Sequence, residues 1–253
     1  VAPNPRSHGE IGRYQVKLMS LPAPDFWNVP NTPYQTCLLT DDGSSTTTEV
    51  AQCLSDRGWQ VIVLSFPNSL VPKRPILPAT VHRVILTNLS EEHLQDQLAG
   101  IFQTYGLIGT FIHLHPISQY LYNQPDTLVN PDKAILKQVF LLAKHLKSSL
   151  TQAANQGRSS FLTLAHLDGE FGLSGQQDFS AVSGGLFGLT KTLNLEWPAV
   201  FCRSLDISPD LDAATTAQII LAELHDPNAL IQEVGYTTKG RVTLTCELAD
   251  LGV

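Results

Sequence analysis

The stretch from Phe161 to Asp206 constrains this chain more than any other. Phe161-Leu162-Thr163-Leu164-Ala165 is an apolar run of strand length. A glycine-rich loop follows, then a helix rich in small residues, then a second apolar strand at Phe201–Ile207. Two parallel strands need a crossover of this kind, so the stretch reads as one βαβ unit. Its helix carries Ala181, Gly184, Gly185 and Gly188 on neighbouring turns. Each glycine in a helix interior costs about 1 kcal/mol against alanine. Close approach of a sheet or a partner helix is the expected compensation; a surface helix that tolerates them is the alternative.

The rest of the chain repeats the pattern. Gln35–Thr40 is a strand that turns at Thr40–Ser45 into a helix. Thr46 with Glu49 forms a capping-box pattern there, Val50, Cys53 and Leu54 give the apolar stripe, and Gly58 suits the helix end. Gln60–Phe66 is a buried strand of the parallel type, which closes a unit of about thirty residues, the length of a mononucleotide-binding half. Pro67, Pro72, Pro75 and Pro78 make an extended connection to a strand at Val81–Asn88. Ser90 caps a helix with Leu94, Leu98, Ile101, Phe102 and Tyr105 inward, stopped by Gly106, and Leu107–Leu114 is the next strand. Asn130-Pro131 opens a long helix with Ile135, Val139, Leu142, Leu146 and Leu150 on its apolar face. Thr215–His225 is a further helix, and Arg241–Leu248 alternates as a last strand.

Strands alternating with helices predict an α/β fold: a Rossmann-like, doubly wound, mostly parallel sheet of six or seven strands with helices on both faces. The default strand order is 3-2-1-4-5-6. Residues 1–32 are Pro-rich and read as a linker or arm that adds an edge strand from Arg13–Leu18 and is pinned by Phe26 and Trp27. Residues 33–253 then form the Rossmann-like unit.

Composition excludes several functions. Of 253 residues, 43% are hydrophobic and 15% charged, which fits a packed core rather than a disordered chain. The net charge of −7 disfavours nucleic acid and anionic membranes as partners. Cys37, Cys53, Cys202 and Cys246 lie far apart, without a CxxC pair, and read as free thiols of a reducing cytoplasm. No apolar run reaches membrane-spanning length. A start at Val1 and a plain Leu-Gly-Val end suggest a piece of a longer polypeptide.

Few residues offer chemistry. His113 and His115 alternate onto one face of a strand end, and Asp168 or His166 could complete a metal set with them; hydrogen-bonded structural histidines are the plainer expectation, with no metal bound. Asp168 and Glu170, one glycine apart, are a carboxylate pair that also suits a solvated turn. Lys191 and Arg203 flank the small-residue helix without making a basic patch. Nucleophile elbow and P-loop patterns are absent.

The Phe161–Asp206 stretch resembles the strand–helix–strand of short-chain dehydrogenases, where a strand-end Ser precedes a Tyr-x-x-x-Lys helix. On that pattern the Tyr position is Phe179, the Lys position is Ser183, and the Ser position falls near Ala165 or His166. A phenyl ring has no proton to give and a serine no charge to tune it. The family's Thr-Gly-x-x-x-Gly-x-Gly turn, laid from Thr40, puts Asp41, Ser45 and Thr47 at the glycine positions, with Asp42 beside them where a pyrophosphate needs positive potential. The family's Asn-Asn-Ala-Gly strand end reads His-Leu-His-Pro, and its relay Asn is missing from Ala134–Leu150. The run GGLFGLTKTLNLEWPAVFCRSLDISPDLDA is similar to the non-catalytic first half of ketoreductase domains in polyketide synthases, nearest to those of polyunsaturated-fatty-acid and cyanobacterial heterocyst-glycolipid-type synthases. The resemblance implies a degenerate nucleotide site with no catalytic and no cofactor-binding residues in this chain. It also implies partners: a downstream catalytic half that binds NADPH, and an acyl carrier protein whose phosphopantetheine-tethered β-ketoacyl group is reduced there. The small-residue helix is expected to face that half. A free-standing atypical reductase with its acid at Tyr120, Tyr122 or His166, and a ligand-binding pseudoenzyme, are the alternatives.

Overall fold

The computed structural model describes residues 13–26, 35–117, 131–175 and 179–248. Nine strands form one sheet: β1 (Tyr14–Leu21), β2 (Thr36–Thr40), β3 (Gln60–Ser65), β4 (His82–Ile85), β5 (Thr110–Leu114), β6 (Ser160–Ala165), β7 (Phe201–Ile207), β8 (Glu233–Thr237) and β9 (Gly240–Leu248). Their order is β1-β9-β8-β7-β6-β5-β2-β3-β4. From β4 to β8 every neighbour is parallel, and β2 to β7 lie in the expected 3-2-1-4-5-6 arrangement. The sheet is therefore Rossmann-like, with the reversal of winding between β2 and β5.

Helices α1 (Ser45–Ser55) and α5 (Ala213–His225) cover one face, and α2 (Glu91–Tyr105), α3 (Pro131–Ala154) and α4 (Gly185–Glu196) the other. Strands buried on both faces carry apolar side chains in both directions, which is why β2, β3 and β5 read as continuous hydrophobic runs. Leu38, Ile62 and Phe111 point to one core; Cys37, Leu39, Val63 and Ile112 point to the other. The long helix packs as its periodicity predicts, with Ile135, Val139, Leu142, Leu146 and Leu150 all buried.

Several local expectations change. The N-cap of α1 is Ser44, whose hydroxyl accepts Thr46 N–H, rather than Thr46 itself. The small-residue helix is split: a 3-10 turn spans Ala181–Gly184 and the α-helix begins at Gly185. β8 escaped the sequence pattern because Gly235 interrupts a five-residue strand. β9 runs antiparallel to it and carries β1 at the sheet edge. Phe26 stacks on the His225 ring at 4.4 Å, so the segment after β1 is held against α5. Trp27 lies outside the described residues.

The loop after β6 crosses β8 at very close range. A Cβ on Gly169 would lie 2.2 Å from the Tyr236 carbonyl oxygen, and its φ is +77°. Gly58 shares a positive φ of +80° but has nothing within 4 Å. Gly58→Ala should therefore cost about 1–2 kcal/mol in left-handed strain, whereas Gly169→Ala adds a backbone collision and should cost about 3 kcal/mol or more. Denaturant unfolding of both variants checks this; equal losses would mean that the loop relaxes away from β8.

Candidate functional site at the carboxyl edge of the sheet

In an open α/β sheet, ligands bind beyond the carboxyl ends of the strands, at the reversal of winding. Here that place lies between the ends of β2 and β5, and the turn that leaves β2 carries two buried carboxylates. Asp41 is fully buried, and its carboxylate accepts Gly43 N–H at 2.9 Å and the Ser65 hydroxyl at 2.6 Å. Arg83 Nη2 stands 3.6 Å from Oδ2, the oxygen that also accepts the Ser65 hydroxyl. Asp42, also buried, accepts Ser44 N–H at 2.9 Å, the Ser44 hydroxyl at 2.6 Å and the Thr47 hydroxyl at 2.6 Å. The Gly43, Ser44 and Thr46 amides are therefore taken by side-chain oxygens of the turn itself. A bound anion at a helix start needs those same donors.

The Pro-rich connection closes over this turn. A Cβ on Gly43 would meet Val71 Cγ1 at 2.8 Å and Lys73 O at 3.1 Å. The Thr48 hydroxyl ties the connection to α1 by donating to Ile76 O at 2.8 Å. What remains is an open depression of about 590 Å³ lined by Gly43, Ser45, Thr48, Lys73, Arg74 and Ile76.

At the end of β5, His113 and the following His115 join a chain of hydrogen bonds. Thr40 Oγ1 lies 2.8 Å from His113 Nδ1, and His113 Nε2 lies 3.3 Å from His115 Nδ1. His115 Nε2 is 3.5 Å from Asp132 Oδ1, at the first turn of α3. Burial and the neighbouring His115 hold His113 well below the usual imidazole pKa. His166 Nδ1 bonds Ile207 O, 3.1 Å away, and burial lowers its pKa too. Among the described residues no group of three or more His, Cys, Asp or Glu side chains is placed to hold a metal ion.

Asp168 does not join the histidines. Its carboxylate accepts the amides of Glu170, Gly172 and Ser174 and the Ser174 hydroxyl, and so shapes the loop after β6. Burial works against its charge, but those hydrogen bonds win and hold its pKa below the usual aspartate value. Asp206 anchors the same loop from β7 by accepting Leu167 N–H and Phe171 N–H. Burial pushes Asp206 up to about 6.

The positions laid on the Tyr-x-x-x-Lys pattern are occupied by packing. The Phe179 ring sits where a Cβ on Gly172 would come within 2.7 Å of it, and Ser183 is buried in the 3-10 turn. Both precede the α-helix, so the backbone departs from the pattern as well as the side chains. Of the glycines in the small-residue stretch, Gly185 is the one a neighbour approaches, with Leu136 Cδ2 of α3 at 2.7 Å from a notional Cβ. Gly184 and Gly188 meet nothing within 4 Å among the described residues. Tyr120 and Tyr122 lie outside the described residues.

Sequence reasoning missed one cluster. Arg203 is fully buried, and its Nη1 bonds Glu223 and, at 2.8 Å, Asp226. Arg241 reaches the same two carboxylates, each at 2.8 Å. The Tyr236 hydroxyl donates to Glu223 Oε1 at 2.5 Å. Nothing in local periodicity marks this set, since its members come from separate elements; the one signal was charge inside apolar runs.

Comparison with known proteins supports the architecture. No family model matches the chain. It is similar to the 3-ketoacyl-(acyl-carrier-protein) reductase of Brucella melitensis, a structure complexed with NADH, with TM-score 0.56 and 16% identity over 77% of this chain and 91% of that one. An apo SCOR enzyme from Clostridium thermocellum gives TM-score 0.57 and 12% identity over 78% and 88%. A Bacillus anthracis short chain dehydrogenase gives 0.56 and 13% over 78% and 92%. These solved structures share the chain's Rossmann-like fold. In sequence, the chain is 28% identical over 232 residues to one of the polyunsaturated fatty acid synthase subunits of Thraustochytrium sp., covering 89% of this chain but 8% of that protein. No helix among the described residues is long and apolar enough to cross a membrane.

The raised pKa of Asp206 makes a pH prediction. A carboxyl whose folded pKa exceeds its unfolded value stabilises the fold fully below the unfolded pKa of about 4 and loses that contribution as pH rises through the folded value. A shift from 3.8 to about 6 corresponds to up to about 3 kcal/mol. The stability difference between wild type and Asp206→Asn should narrow between pH 4 and pH 7 in urea titrations. A difference independent of pH would mean that Asp206 ionises as an ordinary aspartate.

Proposed function

We propose that this chain is the structural, non-catalytic half of a ketoreductase region in a polyketide or polyunsaturated-fatty-acid synthase of the cytoplasm. One observation carries the reading: the turn that holds the dinucleotide in the family it resembles is filled by Asp41 and Asp42, which use its amide and hydroxyl donors. Two buried carboxylates there also give the wrong potential for a pyrophosphate. The phenyl and hydroxymethyl groups at Phe179 and Ser183 support the same conclusion, because neither can protonate a carbonyl oxygen or tune a donor that does. In this reading NADPH belongs to a catalytic half on the same polypeptide. That half reduces a β-ketoacyl thioester, carried on the phosphopantetheine arm of an acyl carrier protein, to the β-hydroxy form. This chain is the platform against which it folds.

Calorimetric titration of the chain with NADPH and NADH at low salt should give no binding tighter than about 100 μM, roughly −5.5 kcal/mol. A tighter constant would overturn the reading.

Restoring the side chains should not restore the reaction. Phe179→Tyr with Ser183→Lys places an ammonium at a buried position of the 3-10 turn, and catalytic groups that act as a unit are strongly non-additive. The double variant should not oxidise NADPH with a model β-ketothioester; turnover would mean that a working pocket survives.

A further inference from the structure

We propose that the apolar face of the outer β1–β9 ribbon is a docking surface for the adjoining reductase half of a longer polypeptide. The inference rests on the functional reading above and adds the place of contact. β9 is paired to β8 at Thr237↔Gly240, Tyr236↔Arg241 and Gly235↔Val242, and to β1 along nearly its whole length. Past Val242 the ladder to β8 stops, and the Thr243 hydroxyl makes one further bond to Glu233 O. The remaining segment, Tyr14–Met19 against Thr243–Leu248, is a two-stranded overhang. Two strands alone are marginally stable in water at best.

The overhang is two-faced. Register places Tyr14 opposite Leu248, Val16 opposite Cys246 and Leu18 opposite Leu244, and alternation puts all six on one face. None is charged. Tyr14 is 64% exposed, Val16 47% and Leu248 48%. The other face carries Gln15, Thr245, the Lys17–Glu247 ion pair at 2.5 Å and, at its inner end, the exposed Met19 opposite Thr243. The fold puts its polar residues on one side of the ribbon and leaves the other without cover among the described residues, so the partner it fits is apolar.

Size decides between partners. Six residues at about 3.3 Å each, on two strands about 5 Å apart, present a face of about 20 by 10 Å. A free second copy needs about 800 Å² per partner for a stable complex, several times that area. A tethered neighbour needs far less, because a short linker supplies an effective concentration in the millimolar range. Tyr14 and Leu248 oppose each other at the tip of the overhang, so polypeptide attached before β1 or after β9 leaves from the patch itself. The thraustochytrid synthase polypeptide, of which the matching region is 8%, has such neighbours.

Cys246 sits in the middle of the face and is exposed, whereas Cys37 and Cys202 are buried and Cys53 is half-buried. Its alkylation by iodoacetamide is therefore a direct footprint, read at that residue by peptide mass spectrometry in this chain and in the full natural polypeptide that contains it. Labelling should be at least about tenfold slower in the longer polypeptide, and Val16→Asp, a change at an exposed position, should return it to the rate of the short chain. Equal rates in the two would overturn the proposal. Slow labelling in this chain alone that depends on its concentration, with a dimer in light scattering, would overturn it in favour of a second copy. Co-purification of this chain with the separately expressed downstream half, with Cys246 still freely labelled, would remove the surface and leave the functional reading standing. NADPH binding by this chain together with a protected Cys246 would do the reverse.

Discussion

Arg203 carries its charge to a place with no water, in the middle of β7, and the sheet beyond it depends on how that charge is met. Glu223 and Asp226 answer it from the end of α5 and the turn that follows, and Arg241 on β9 answers both carboxylates in turn. Arg203 Nε also bonds Ile231 O just before β8, and Arg241 Nη1 bonds Pro22 O just after β1. Two guanidiniums and two carboxylates thus join β7, α5, β8, β9 and the end of β1. Such a set is a weak source of net stability, since each ion loses its hydration, but removing one member strands the others at a cost of about 3–5 kcal/mol. Its value is positional. It fixes where the antiparallel pair meets the parallel sheet, at a point where backbone pairing spans few residues.

The same logic governs the carboxyl edge. Asp41 and Asp42 are costly to bury and are kept because their carboxylates find donors in the turn they occupy. A turn that binds a dinucleotide leaves its donors free until the ligand comes. This one meets its Gly43, Ser44 and Thr46 amides with its own side-chain oxygens, which tie β2 to α1. Val71 and the Lys73 carbonyl press on it from outside. The same N–H groups can order such a turn or hold an anion, but not both at once.

Elements with a strong period were legible in the sequence. The stripe of α3, the stop at Gly106 and the buried runs of β2, β3 and β7 all lie where periodicity and turn chemistry put them. Boundaries shifted where a side chain competed with the backbone, as when Ser44 rather than Thr46 took the cap of α1. The side-chain types at Phe179 and Ser183, an aryl ring and a hydroxyl, were readable because they depend on residue identity alone. The Arg203 cluster was not, for it is assembled from Arg203, Glu223, Asp226 and Arg241, whose spacing means nothing until the sheet brings them together. Gly184 and Gly185 show the same limit: adjacent and chemically identical, one meets nothing and the other meets Leu136.

The pairing of Tyr14 with Leu248 has a consequence for how such a unit is accommodated in larger architectures. Paired residues on neighbouring strands lie about 5 Å apart, so the described sheet begins and ends at a single point on its rim. A host polypeptide can run up to that point, pass through the whole body and resume its own path almost where it left off. Its own fold then sees an inserted loop with closely spaced feet, the geometry in which domain insertion is tolerated. A sheet with its ends at opposite rims would force the host to span the width of the body. Closing the sheet with an antiparallel pair, where a further parallel strand would have sent the chain to the far edge, makes this body portable.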